Sequence, residues 1–116
     1  MGLMSCREQT RLQGFVRFKG TRLTFEFASP IGAHPSAQQA AFVAALSKRT
    51  DIDYTCTNLG HEMDTFRGHI DVGSSRVQVT FDVARDASPE DIDAAFYIAL
   101  RGAVDMDYGY LERAAA

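Results

Sequence analysis

The sequence predicts an α+β fold, a two-layer sandwich in which a five-stranded, mainly antiparallel sheet carries two helices on one face. Three observations predict it. Five segments alternate apolar and polar residues, two segments carry apolar residues at helical spacing, and short turn-rich stretches separate them. The elements follow in the order ββαβββα. The chain has 116 residues, 46% of them hydrophobic, which suits a single domain over residues 1–116.

The five predicted strands are read from the alternation of their side chains. They are "LQGFVRF" (12–18), "TRLTFEF" (21–27), "DIDYTCTN" (51–58), "TFRGHIDV" (65–72) and "RVQVTFDV" (76–83). Short turns at 19–20 and 73–75 indicate antiparallel neighbours. Successive side chains point to opposite faces, so one face of the sheet is predicted to be apolar. Its members are Leu12, Val16, Phe18, Leu23, Phe25, Phe27, Ile52, Tyr54, Cys56, Phe66, Ile70, Val72, Val77, Val79, Phe81 and Val83.

Two helices are predicted from capping signals and apolar spacing. The first begins near Ser36, where Gln39 completes a weak capping box, and ends near Arg49. The second starts clearly, with Ser88 at the N-cap and Pro89 at the first helical position. The apolar stripe of the second helix comprises Ile92, Ala95, Phe96, Ala99, Leu100, Ala103 and Met106. Residues 1–10 and 111–116 flank the predicted elements and are expected to fray.

Both helices carry apolar residues outside a single stripe. In the second helix, Tyr97 and Ile98 lie away from the stripe. The first helix, "AAFVAAL" at 40–46, is apolar nearly all round, which indicates cover on both sides. One interpretation is that its alanines let the second helix approach closely. The other is that they form an interface with a partner or with a second copy, giving a homodimer.

The predicted element order resembles that of roadblock-type and profilin-like domains. The resemblance lies in the order of elements alone, and no residue role follows from it. The sequence is also read as having no internal repeat.

Charge and composition exclude several classes of protein. The net charge of −3 argues against a non-specific nucleic-acid binder. Residues 1–49 carry seven Lys and Arg against two acids, whereas residues 50–116 carry five Arg against thirteen acids. The folded molecule would then have a basic and an acidic end unless the fold interleaves the two halves. No apolar run suggests a membrane span or a secretory signal, and two cysteines suit a reducing cytoplasm.

The polar stretch "TCTNLGHEMDTFRGHIDV" (55–72) holds the candidate metal ligands Cys56, His61, His69 and Asp71. Strand parity places Cys56 on the core face and His69 on the opposite face, which argues against convergence of the four on one ion. The same separation argues against a Cys–His catalytic pair. No metal, cofactor or catalytic residue is therefore expected.

The open face of the predicted sheet is the main candidate binding surface. Phe15 and Arg17 lie on it, and Arg67, His69 and Arg76 are expected nearby. Aromatic rings and arginines on an open sheet can stack and clamp single-stranded RNA. The alternative is an ordinary solvated face with cross-strand ion pairs, such as Arg67 or Arg76 with aspartates.

Two functions are consistent with these features. The first is a small non-enzymatic protein-interaction module, an inhibitor, adaptor or regulator, which binds a partner through this face or through Tyr97 and Ile98. Its acidic second half would suit the basic groove of a nucleic-acid-binding partner. The second is a small-molecule, nucleotide or RNA binder, or an enzyme, that uses the open sheet face.

Overall fold

The computed structural model describes residues 9–111, which form six strands and two helices. Their order is ββαβββαβ, so the predicted order lacked a final strand. The elements are β1 (Gln9–Phe18), β2 (Thr21–Pro30), α1 (Pro35–Leu46), β3 (Ile52–Leu59), β4 (Met63–Val72), β5 (Ser75–Ala84), α2 (Pro89–Arg101) and β6 (Asp105–Tyr110).

The strands form two three-stranded sheets rather than one sheet of five. The first sheet has the order β2-β1-β6 and the second has the order β3-β4-β5. Every neighbouring pair is antiparallel, which confirms the α+β class and the antiparallel pairing. The prediction of a single five-stranded sheet is wrong. The resemblance to roadblock-type and profilin-like domains rested on the predicted element order and does not extend to this arrangement of strands.

The C-terminal part of α2 was predicted incorrectly. The helix ends at Arg101 with Gly102 as its C-cap, and residues from Asp105 onward extend along β1. Met106 is buried in β6 rather than on a helical stripe. The buried residues of α2 are Ala94, Phe96, Tyr97 and Leu100. The helix therefore turns Tyr97, which was predicted to lie away from the core, into the core.

Strand alternation predicted most of the core correctly. The apolar residues on the inner faces of both sheets are buried or partly buried in one cluster. Cys56 is the exception, because its side chain is exposed although it was predicted to point inward. The register of β3 against β4 shifts between Cys56 and Asn58, a bulge that interrupts the strict alternation from which the inward direction was predicted.

One helix covers the inner face of each sheet. A ring from each helix sits over a glycine of a central strand: Phe42 of α1 over Gly14, and Phe96 of α2 over Gly68. The two helices also pack on each other, and Ala41 and Ala45 are partly buried against the core. The shortest dimension of the molecule, 19 Å, fits two layers of secondary structure.

The chain contains an internal repeat, so the expectation that it has none is wrong. Each ββα unit is followed by a strand, and corresponding residues lie 54 positions apart, as Ser36 and Glu90 do. Pro35 corresponds to Pro89, and "AAFVAAL" (40–46) corresponds to "AAFYIAL" (94–100). It also joins "DIDY" (51–54) to "DMDY" (105–108). Strands β1 and β2 correspond to β4 and β5 without a gap.

The two repeats exchange their last strands. Strand β3 of the first repeat completes the second sheet, and β6 of the second repeat completes the first sheet. The corresponding residues Ser36 and Glu90 contact each other, with the serine hydroxyl donating to the carboxylate at 3.0 Å, so an approximate two-fold axis passes between them. The exchange also mixes the charges of the two halves, because Arg17 pairs with Asp105.

The chain ends fall largely outside the described residues. Of the segment 1–10, which was expected to fray, Gln9 and Thr10 lie in β1 and pair with Pro30 and Ser29. Residues 1–8 and 112–116 lie outside the described part of the chain. Neither α1 nor α2, the helices within residues 9–111, has the length and apolarity needed to cross a bilayer.

Candidate binding surface on the open sheet faces

The structure divides the predicted binding surface between two sheets. Phe15 and Arg17 lie on β1 of the first sheet. Arg67 and His69 lie on β4, and Arg76 on β5, of the second sheet. All five side chains lie on the faces that the helices leave open. The expectation that they share one continuous sheet is wrong, and each open face is described separately.

On the first sheet, Phe15 is held between charged neighbours. The guanidinium of Arg22 lies 5.1 Å from the centre of the Phe15 ring, a cation–π contact across the β1–β2 pair. Asp107 is directly opposite Phe15 on β6. Arg17 is in an ion pair with Asp105 and is therefore already engaged. Phe15, Arg22 and Asp107 border a shallow depression of ≈ 210 Å³.

On the second sheet, His69 and Arg76 belong to one ion-pair network. The Nε2 atom of His69 lies 3.0 Å from Oδ1 of Asp51. Arg76 donates to both oxygens of Asp71, at 2.7 and 3.1 Å, and to Asp51 at 3.1 Å. The adjacent guanidinium lowers the pKa of Asp71, and the carboxylates raise the pKa of Arg76. The alternative of cross-strand ion pairs is thus confirmed for Arg76.

Arg67 differs from its neighbours on the same face. Its side chain is exposed, and it makes no ion pair with any other residue in the range 9–111. It borders a depression of ≈ 180 Å³ together with Asp53, Thr55, His69 and Gln78. Arg67 is therefore a charged group that remains available to a partner on this face.

The two depressions occupy equivalent positions in the repeats. Gln13, Phe15, Thr24 and Asp107 in the first correspond to Arg67, His69, Gln78 and Asp53 in the second. The glycines beneath them, Gly14 and Gly68, also correspond. The aspartate, the glycine and the adjoining tyrosine (Tyr54 and Tyr108) are retained, whereas Gln13, Phe15 and Thr24 have different counterparts. A ligand of one depression would therefore meet a different surface at the other.

The two predicted helix residues have opposite environments. Tyr97 is only 1% exposed and packs against Phe42 and Tyr108, so it cannot meet a partner in this conformation. Burial raises its pKa to about 12. Ile98 is 60% exposed, as predicted for a residue off the apolar stripe. Sequence reasoning placed both on the surface because it assumed that α2 packs on one side only.

The repeated "D-x-D-Y" pattern is the feature that sequence reasoning missed. Oδ1 of Asp53 accepts the N–H of Tyr54 at 2.8 Å, and Oδ1 of Asp107 accepts the N–H of Tyr108 at the same distance. Each pattern begins an exchanged strand at the edge of a sheet. Comparison of residues 51–54 with 105–108 could have revealed it, but the second copy was assigned to a helix.

Across positions 9–111, no three His, Cys, Asp or Glu side chains come together in a way that could hold a metal ion. The homodimer predicted through α1 stays a prediction, and the packing of Ala41 and Ala45 favours close helix approach instead. No protein-family model, no curated protein and no solved structure matches this chain.

Proposed function

We propose that this chain is a non-catalytic module that binds a partner protein in the cytoplasm as an inhibitor, adaptor or regulator. The observation that carries the proposal is a row of side chains along the open face of β4. Met63 is 48% exposed, Arg67 is exposed without an ion pair among residues 9–111, and His69 lies beside them. Methionine and arginine are enriched at the centres of protein interfaces.

The size and openness of the depressions support a protein partner. They measure ≈ 210 and ≈ 180 Å³. Sites for small molecules are usually clefts of about 300–1,000 Å³ that enclose most of the ligand. A flat sheet face with a few exposed anchors offers more to a macromolecular surface than to a metabolite.

The charge of the second sheet favours a basic partner. The open face of the second sheet carries Arg67 and Arg76 against Asp53, Asp71 and Asp82, and Asp51 lies just before β3 and pairs with Arg76. A nucleic-acid-binding partner with a basic groove would complement this surface.

Affinity purification with the full chain tests the proposal. We expect a stoichiometric partner from the native cytoplasm, and loss of that partner in the double variant Met63→Ala, Arg67→Ala. The variant Lys19→Ala removes an equal charge at the hairpin tip of the first sheet and serves as the matched control. Recovery of no partner, or equal recovery by the Met63/Arg67 variant, would contradict the proposal.

A nucleotide or single-stranded RNA is a second candidate ligand, favoured by the Phe15–Arg22 contact. Such a pair can stack on a base while the guanidinium contacts phosphate. If this is correct, nucleotides or short RNAs should raise the melting temperature of the chain and fail to do so in Phe15→Ala. The absence of any stabilisation in low salt would reject this candidate.

A further inference from the structure

The two repeats differ where each helix meets the exchanged strand of its own repeat. Between α1 and β3 the structure leaves a gap of ≈ 260 Å³. The helix side of this gap is lined by small residues, Val43, Ala44 and Ser47. Asp53 and Tyr54 of β3 line the opposite side. Asp93 and Phe96 of α2 complete the lining.

In the second repeat, larger side chains occupy the corresponding helix positions. Tyr97 stands where the first repeat has Val43, Ile98 where it has Ala44, and Arg101 where it has Ser47. The guanidinium of Arg101 donates to Oδ2 of Asp107 at 3.2 Å. In the second repeat, the chain therefore supplies its own arginine to Asp107, the second aspartate of the "D-x-D-Y" pattern.

The corresponding aspartate of the first repeat has the same local geometry without the arginine. Oδ1 of Asp53 accepts the Tyr54 N–H, as Oδ1 of Asp107 accepts that of Tyr108. Asp53 forms no ion pair with any residue between positions 9 and 111. Its Oδ2 atom, the equivalent of the oxygen that binds Arg101, is thus open to a ligand.

The walls of the gap suit a planar cation on an apolar stem. The half-buried ring of Tyr54 lines the gap and packs against the fully buried ring of Phe96, with 5.0 Å between the ring centres. A guanidinium can lie against an aromatic ring and donate to a carboxylate at once, whereas an ammonium is a compact, strongly hydrated charge. The Tyr54 hydroxyl donates to Asp93 at 2.5 Å and so keeps a second carboxylate at the same gap.

We propose that the gap between α1 and β3 receives an arginine side chain of the partner protein, whose guanidinium pairs with Asp53. The carboxylates of Asp53 and Asp93 alone would not indicate a ligand, because water could solvate them. What indicates the ligand is the second repeat, in which Arg101 makes this contact within the chain. The inference rests on the proposed function, because the arginine belongs to the partner. It adjoins the depression beside Arg67, which Asp53 also lines.

The direct test titrates the full chain with capped amino acids and follows backbone amide shifts by NMR. N-acetyl-arginine amide should shift the amides of Ala44, Ser47, Asp53 and Tyr54, with a dissociation constant on the order of millimolar because exposed ion pairs are weak. N-acetyl-lysine amide should shift them less, and N-acetyl-norleucine amide should not. Equal shifts for all three, or none at tens of millimolar, would overturn the proposal.

Variants of the chain test whether the gap, rather than another part of the surface, binds the arginine derivative. Ser47→Arg gives the first repeat its own arginine, so it should abolish these shifts, whereas Ser47→Ala leaves the gap open and should retain them. Asp53→Asn removes the acceptor and should also abolish binding. Asp82→Asn removes an equal charge on β5, away from the gap, and should not. Binding that survives in both Ser47→Arg and Asp53→Asn would overturn the proposal.

The partner experiment distinguishes a failure of the gap proposal from a failure of the proposed function. A partner captured by the native chain should be lost in Ser47→Arg and kept in Ser47→Ala. If the partner is captured equally by both, the chain is still an interaction module but the gap does not hold the partner's arginine. If N-acetyl-arginine amide binds as predicted and no partner is captured, the gap recognises guanidinium and the protein-interaction proposal fails.

Discussion

Tyr97 is the largest fully buried side chain in the described part of the molecule, and its hydroxyl has no hydrogen-bond partner there. A buried hydroxyl without a partner costs about 1–3 kcal/mol, whereas its ring contributes packing. Tyr97→Phe keeps the ring and removes the hydroxyl. We therefore expect the free energy of unfolding in urea to rise by about 1 kcal/mol.

Tyr54 provides the matched control for this substitution. Its hydroxyl donates to Asp93, so Tyr54→Phe should lower the free energy of unfolding. If Tyr97→Phe instead destabilises the chain as Tyr54→Phe does, the Tyr97 hydroxyl has a partner in solution, and its burial is not a cost to the fold.

The tyrosines also predict how stability depends on alkaline pH. Desolvation raises the pKa values of Tyr54, Tyr97 and Tyr108 above the ordinary value of 10.0. As the pH rises above 10, the unfolded chain loses these protons before the folded chain does, so stability should fall. Tyrosinate absorbance should show these groups ionising only at higher pH or on unfolding. Ionisation of all four tyrosines near pH 10 with native circular dichroism would contradict this prediction.

At the scale of elements, each helix is seated on its sheet by a phenylalanine over a glycine. A Cβ added to Gly14 would lie 2.7 Å from the Phe42 ring, and one added to Gly68 would lie closer still to Phe96. Gly14→Ala and Gly68→Ala should each lower the free energy of unfolding by about 1–3 kcal/mol through overpacking.

Two further variants check that the glycine effect arises from the ring. Gly109→Ala in β6 adds a Cβ with nothing within 4 Å and should cost far less. Phe42→Leu combined with Gly14→Ala should cost less than the sum of the two single changes, because the ring nearest to the new methyl is gone and only Phe25, at 3.0 Å, remains close. Strict additivity would show that Gly14 matters for another reason.

The elements also show what the sequence could and could not predict. Alternation assigned Phe15, Arg67 and His69 to open faces correctly, because parity is a local property of a strand. The sixth strand was missed because Leu100, Ala103 and Met106 continue a helical spacing. Pairing with β1 is what makes β6 a strand, and local spacing does not encode that long-range contact. For the same reason, the sequence did not reveal which of the two sheets carries each predicted binding residue.

At the scale of the whole molecule, the approximate two-fold axis predicts a tolerated rearrangement of the chain. Strand β6 lies antiparallel beside β1, with Tyr110 opposite Leu12, much as β3 lies beside β4, with Leu59 opposite Asp64. A short loop over residues 60–62 joins the second pair. A loop between the original termini could join the first pair in the same way.

A circular permutant that opens at His61 and links residue 116 to residue 1 would keep the order ββαβββαβ. Each repeat would exchange roles with the other, so no strand pairing would change. We expect the permutant to unfold cooperatively in urea with a midpoint close to that of the native chain. A permutant opened inside α2, at Ala95, breaks the helix that covers the second sheet and should be much less stable. Failure of the His61 permutant to fold, although it retains all residues, would contradict this prediction. The native β3–β4 connection would then be indispensable and a β6–β1 connection could not replace it, so the two repeats would not be equivalent halves.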